Sequence, residues 1–276
     1  MRSKKFFDAS VYLPFTKSAI QEVLIYKFSF VTWLFSNFLQ IAIIYYLWKS
    51  IFDSSEHGLI SGFTFLDMQV YIVMSFITKM LVSGNVEWKV AQEIVEGSIA
   101  TVLIKPINYF FRLIFESLAQ VIVNFIAIML PVWSFLLISH KVIYDIPFPN
   151  PLFVLLFFLS ILLSYIISFL INFLIGLCAF VVTYMWGFLI CKDAIFMLLS
   201  GVVVPLTMFP DTVQRIITYL PFASLNYIPV MIYMQEFDSS EILFYLAIQL
   251  FWVVALMILT IFFWKRAIKR LSVAGG

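Results

Sequence analysis

Few side chains in this sequence have the character to do chemistry, and most of those are set among long apolar runs. Lys79 interrupts a second apolar stretch, Arg112 and Glu116 stand one helical turn apart, and Lys192 and Asp193 are the only charges between Pro151 and Phe209. Charged groups held away from water pair with one another, line a polar path, or relay ions and protons. Bond-making chemistry has less to work with. His57 and His140 fall in polar loops, and Cys178 and Cys191 sit in an apolar region that suits buried free thiols. No clustered Cys and His, no G-x-S-x-G and no H-E-x-x-H occurs, so a membrane-embedded enzyme would lack its nucleophile, base or metal. Nor is there a G-x-x-x-x-G-K-[S/T] loop to cradle phosphate. If ATP and Mg drive this protein, a partner chain must bind them.

The elements that position these residues are set by composition. Hydrophobic residues make up 63% of the 276, charged residues 12%, and mean hydropathy is +1.06. A soluble domain carries about twice that charged fraction. The fold class is therefore an all-α integral membrane protein, a single transmembrane domain over 1–276 with no nucleic-acid partner expected. Six spans are expected at 28–49, 68–86, 107–139, 151–183, 194–209 and 242–264. A turn near Tyr184 to Asp193 divides the run after Pro151, which is too long for one crossing. Six spans leave both termini on one side. Thirteen of the 17 Lys and Arg then lie on that side and three on the other, with Lys79 in the membrane. Positive residues favour the cytoplasmic side, so both termini are expected there.

Three segments stand outside the spans. Over 1–27, Phe15, Ala19, Val23 and Tyr26 recur at helical spacing opposite Thr16, Lys17, Gln21 and Glu22. The pattern suits an amphipathic interface helix, though a basic flank that only sets topology reads the same way. Over 86–97, Val86, Val90 and Ile94 share one helical side, and Glu87, Lys89, Gln92, Glu93 and Glu96 take the other. Lys89 and Glu93 are an i, i+4 pair, and Gly97 suits the helix C-terminus. That helix either docks a soluble partner or is simply solvated. The third segment, Gly201 to Tyr233, is apolar and broken by Pro205, Pro210, Pro221 and Pro229. Its helix, Thr212 to Leu220, spans roughly 14 Å and cannot cross a bilayer. Asp211 and Gln214 suit a capping box there. We read 210–235 as an external re-entrant element, either an outer gate or a lid resting on the bilayer.

Three stretches carry a family likeness: ISGFT..DM..Y at Ile60 to Tyr71, EGSIATVLIKPIN at Glu96 to Asn108, and Gly201, Pro205, Phe209, Pro210, Pro221 and Phe222. Together with the six-span layout, the chain resembles the membrane subunit, or permease, of ABC-2-type exporters, in a bacterial branch of about this length. The resemblance implies a non-catalytic subunit of the bacterial plasma membrane, working with two copies of an ABC ATPase that bind the ATP and Mg. It also implies a second permease, identical or homologous, amid membrane lipid. It makes 86–97 the coupling helix, with Glu87, Lys89, Gln92, Glu93 and Glu96 as ATPase contacts. Pro205, Phe209, Pro210, Pro221 and Phe222 become the outer gate, and 1–27 the interface helix. Lys79 matches no family motif. A structural pair with Glu116 or Asp193 is expected for it, the alternative being the lining of a translocation path.

Two functions follow. The first is ATP-driven export of an amphipathic or lipid-like substrate, drug or peptide by alternating access. The second is an ion- or proton-coupled carrier that needs no ATPase, with Lys79, Lys192 and Asp193 as its relay. The scarcity of acids within the spans speaks against the second.

Overall fold

The computed structural model describes residues 9–274 apart from 56, 57 and 183, with side chains up to residue 269. Arg2, Lys4, Lys5 and His57 lie outside the described residues. The described chain is helical throughout, with no strand beyond one isolated bridge.

In order, the helices are α1 (Ala9–Ile25), α2 (Lys27–Asp53), α3 (Phe65–Val82), α4 (Val86–Val95), α5 (Ile99–Ile104), α6 (Tyr109–Asn124) and α7 (Leu130–Tyr144). They continue with α8 (Pro151–Leu177), α9 (Met185–Leu199), α10 (Asp211–Tyr219), α11 (Tyr227–Met234) and α12 (Ser239–Ala274). A π-helical turn, Phe125–Met129, joins α6 to α7 just ahead of Pro131, which has no N–H to give an α-helical ladder. Five stretches are long and apolar enough to cross a membrane: Lys27–Asp53, Phe65–Val95, Tyr109–Tyr144, Pro151–Phe180 and Ser239–Lys269.

The expected fifth helix differs. A turn is expected at Tyr184 to Asp193, because the run after Pro151 is too long for one crossing. In the structure the preceding helical stretch ends earlier, at Phe180, and Met185–Leu199 is one helix carrying both charges. At 15 residues it rises about 22 Å, less than the roughly 30 Å hydrocarbon core. It ends at Gly201, whose φ of +80° is left-handed. His140 is likewise not in a loop but in the last turn of α7, edge-on to Tyr144. The two cysteines are free as expected, yet Cys191 is exposed and Cys178 only partly buried.

α3, α8 and α11 form the packed centre, with Met68, Met74, Ile77, Phe157, Ile167, Phe173, Ile228 and Ile232 buried. α2 is the opposite case: Asn37, Trp48 and Phe52 are its only buried residues, and Phe28, Phe35, Ile43 and Tyr46 face outward. Local chemistry explains the likeness-bearing stretches. In ISGFT, Ile60 and Phe63 pair across Ser61 (φ 49°) and Gly62 (φ 86°), a two-residue turn with both central residues left-handed. Thr64 then caps α3 in a reciprocal box with Asp67. In the second stretch Gly97 (φ 72°) closes α4, and Asn108 Oδ1 accepts from the amides of Phe110 and Phe111 to start α6.

α1 packs on α6 through a face other than the expected one. Tyr12 and Thr16 are its buried residues: Thr16 Oγ1 donates to Phe115 O at 2.7 Å, and the Tyr12 hydroxyl accepts from Asn108 N at 2.9 Å. Hydroxyls can satisfy the backbone of a neighbouring helix, which an apolar stripe cannot do. The stripe Phe15, Ala19, Val23 and Tyr26 instead lines a cavity, described below.

Candidate functional site

α4 begins where α3 ends, and it runs against the end of α8 and the start of α6. Its apolar stripe packs inward as the periodicity required, with Val86 and Val90 buried. The close fit on α8 is made possible by Gly176. A Cβ there would lie 2.7 Å from Val90 Cβ and 3.1 Å from Glu87 O. Gly84 serves the same approach toward α6, with Ser117 Cβ 3.3 Å from where its own Cβ would be.

The polar side of α4 divides in a way the sequence reading missed. Glu87 and Glu93 are buried inside the chain rather than offered to a partner. Lys192 Nζ donates to Glu87 Oε1 at 2.8 Å, and it also reaches Asp193 at 2.7 Å and Asn172 Oδ1 at 3.4 Å. Arg112 forms an ion pair with Glu93, whose second oxygen accepts from the Tyr109 hydroxyl at 2.8 Å. Arg112 also holds Glu116 at 2.9 Å, the expected i, i+4 pair. Lys89 pairs with Glu116 at 3.9 Å and not with Glu93, which Arg112 has taken. The signal for this arrangement was present. Glu87, Val90, Ala91 and Ile94 repeat at i, i+3, i+4 and i+7, so Glu87 lies on the buried stripe itself.

The outward side of α4 therefore consists of Trp88, Lys89, Gln92, Val95 and Glu96. Trp88 is 40% exposed and Val95 56%, both unusual for large apolar groups on a ten-residue helix with no cover. Three of the five expected contact residues remain on this face: Lys89, Gln92 and Glu96.

Lys79 falls in the last turn of α3, not mid-helix. Among the described residues it makes no ion pair; Glu116 and Asp193, its expected partners, are held by Arg112 and Lys192. Its Nζ donates to Gln40 Oε1 of α2 at 3.3 Å.

The proline-broken segment lies at the opposite ends of α3 and α8 from α4. α10 starts at Asp211, one residue earlier than expected. Pro210 occupies the cap position, so Asp211 does not cap the helix but places its charge in the first turn. The apolar side of α10 is mostly uncovered: Val213 and Ile216 are exposed, and Ile217 is buried. The chain then dips inward, and every residue of Tyr227–Tyr233 is buried. Of the expected gate residues, Pro205 and Pro221 are buried, Phe209 and Phe222 partly buried, and Pro210 exposed. Phe222 meets Phe196 of α9 at 5.1 Å between ring centres.

Polar groups, of which the sequence had marked only Tyr71, anchor this segment. Gln249 of α12 donates to Ser224 O at 3.1 Å and to Ser164 Oγ at 3.1 Å, and accepts from Ser160 Oγ at 3.0 Å. Asn226 Nδ2 donates to Ser75 Oγ at 3.1 Å. The Tyr71 hydroxyl donates to Gly201 O at 2.5 Å, which gives the last residue of the ISGFT..DM..Y stretch a physical role. These bonds satisfy non-helical backbone that is buried among apolar helices.

Gly201→Ala should destabilise the fold by about 1–3 kcal/mol, through a left-handed φ and a methyl pressed on its neighbours. Its Cβ would sit 3.0 Å from Tyr71 Oη and 3.1 Å from Tyr227 Cβ. Thermal unfolding of the detergent-solubilised protein checks this. A variant as stable as the parent would contradict the close contact.

No protein in the curated set compared matches the chain. The family model described as "ABC-2 family transporter protein" matches residues 38–275. That span takes in part of Lys27–Asp53, the four later long apolar stretches, the anchored α4 and the proline-broken segment. The chain belongs to the ABC-2 transporter family, as a multi-pass membrane subunit.

Proposed function

We propose that this chain is the permease of an ATP-driven exporter, moving an amphipathic or lipid-like substrate, drug or peptide outward across a bacterial plasma membrane. In this reading it pairs with a second permease, identical or homologous, over two ATPase subunits that bind ATP and Mg. Both termini and α4 face the cytoplasm, α9 is a short sixth span, and α1 lies in the interface. Pro205, Phe209, Pro210, Pro221 and Phe222 belong to an outer gate between the two permeases.

The observation that carries this reading is the two-sided character of α4. Its inner side is tied by Glu93–Arg112 to α6, by Gly176 to α8 and by Glu87–Lys192 to α9. Its outer side presents Trp88, Lys89, Gln92, Val95 and Glu96 uncovered. A push on that outer side reaches three membrane helices at once, which alternating access requires. A helix laying exposed anchors into a groove of a soluble partner is a recurrent recognition mode. A relay through Lys192 has less support, because that amine is already bound to Glu87.

The test is the double variant Gln92→Arg, Glu96→Arg, which touches only exposed side chains. Co-purification with the ATPase and ATP-dependent export should both fall by roughly tenfold or more, about 1.4 kcal/mol of contact, at unchanged thermal stability. Unchanged co-purification and export would remove α4 as the coupling element. Transport by the purified chain alone under an ion gradient would replace the whole reading with a carrier.

A further inference from the structure

The elbow between α1 and α2 borders a cavity of about 530 Å³ against the link from α3 to α4, α4 itself and α6. That size is within the range of small-molecule sites. α1 and α2 meet almost without a break at Tyr26, and the first turns of α2 are little covered, with Phe28 and Val31 exposed beside the cavity. Its lining is of two kinds. Phe30 and Trp33, whose rings stack 5.9 Å apart, lie on the α2 side with Ala19 on α1. Charges of both signs complete the lining: Glu22 on α1, Lys89 on α4 and Glu116 on α6. Lys89 stands 3.9 Å from Glu116, loose for an ion pair, with its side chain half exposed. Glu22 makes no ion pair among the described residues.

We propose that this cavity is a binding site for a phospholipid whose headgroup carries both a phosphate and a free ammonium, as ethanolamine phospholipids do. Lys89 takes the phosphate, Glu22 takes the ammonium with help from the faces of Phe30 and Trp33, and the acyl chains leave along α2. The charge pattern selects this occupant. Arg112 already holds Glu116 at 2.9 Å, so the groups left to a ligand are one carboxylate, Glu22, and one amine, Lys89. A purely anionic lipid would leave Glu22 unrelieved, and the amine suits one phosphodiester. Aromatic faces beside a carboxylate favour an ammonium. A molecule seated there touches α1, α2, α4 and α6 together, so it would brace the interface helix against α4. Only the choice of the cytoplasmic leaflet depends on the topology proposed above; the binding itself does not.

The experiment is native mass spectrometry of the full chain released from micelles. The micelles are doped in turn with phosphatidylethanolamine, phosphatidylglycerol, phosphatidylcholine and dodecylammonium. Phosphatidylethanolamine should be retained roughly tenfold better than phosphatidylglycerol. Glu22→Gln should abolish that preference, and Ala19→Phe, which fills the cavity from α1, should abolish retention of every probe. Both substitutions are on helix surfaces, and a melting curve of each variant verifies folding. Equal retention of the two phospholipids, or a preference that survives both variants, would overturn the proposal. Retention of dodecylammonium without phosphatidylethanolamine would also overturn it, assigning the site to a cationic amphiphile instead. Retention of phosphatidylcholine equal to that of phosphatidylethanolamine would remove the free ammonium from the recognition and overturn it as well.

Discussion

Lys192→Met should be among the most damaging single substitutions in this chain, at about 3–5 kcal/mol, because it leaves the Glu87 carboxylate buried without a cation. Both partners are almost fully enclosed, with side-chain exposures of 8% and 4%. Removing one member of such a pair strands the other in a medium where its charge is poorly solvated. The pair joins α4 to α9 over 105 residues of chain, so its loss should also free α9, a helix with few other buried residues. The expected result is a large drop in the melting temperature of the detergent-solubilised protein. Adding Glu87→Gln to Lys192→Met should recover much of it, since a neutral amide still bonds with neighbours and no charge is left stranded. A single variant that melts with the parent, or a double variant no better than the single, would show that the pair does not hold the two helices together.

Gly176→Ala should have the second large effect, and it works through space rather than charge. The new methyl would lie 2.7 Å from Val90 Cβ and 2.9 Å from Val90 Cγ1, closer than carbon atoms pack. α4 must then move off α8, at an overpacking cost of about 1–3 kcal/mol. The displacement would also lengthen Glu87–Lys192 and Glu93–Arg112, which depend on where α4 sits. Export should fall with stability, since a displaced α4 no longer transmits a push to α8. Val90→Ala should not rescue the variant, because alanine keeps the very Cβ that clashes. Full rescue by Val90→Ala would place the contact on the methyl groups and contradict the backbone-level fit. Export and melting temperature measured on the single and double variants decide between these outcomes.

Much of the fold was legible in the residues. Apolar runs of span length gave the long helices, because in a membrane every backbone group must be satisfied within its own segment. The boundaries of α4 and its closing Gly97 were also readable, since helix period and caps are local properties. The failures share a cause. The run after Pro151 is too long for one crossing and Lys192 and Asp193 are its only charges, so the sequence points to a turn there. Nothing local announces that Glu87, 105 residues away, neutralises one of them. Lys79 matches Glu116 or Asp193 in charge, but Arg112 holds the first and Lys192 the second.

The proline-broken segment from Gly201 to Tyr233 shows the same division. Its prolines and its length ruled out a crossing, and that was settled by covalent geometry alone. What holds it in place was not visible. Gln249, Ser164 and Tyr71 are scattered over three helices and resemble ordinary polar residues until packing brings them to this one segment.

By itself, then, the sequence determined that this is a helical membrane protein, with a short amphipathic helix between its second and third apolar helices and a proline-broken segment near its end. Those features rest on composition, period and backbone chemistry, all carried by neighbouring residues. Only the tertiary structure decided which side of α4 is free, which charges neutralise one another, and where a cavity opens between α1 and α4. Each of those depends on contacts between residues far apart in the chain, and a buried charge takes its role from the neighbour that packing supplies.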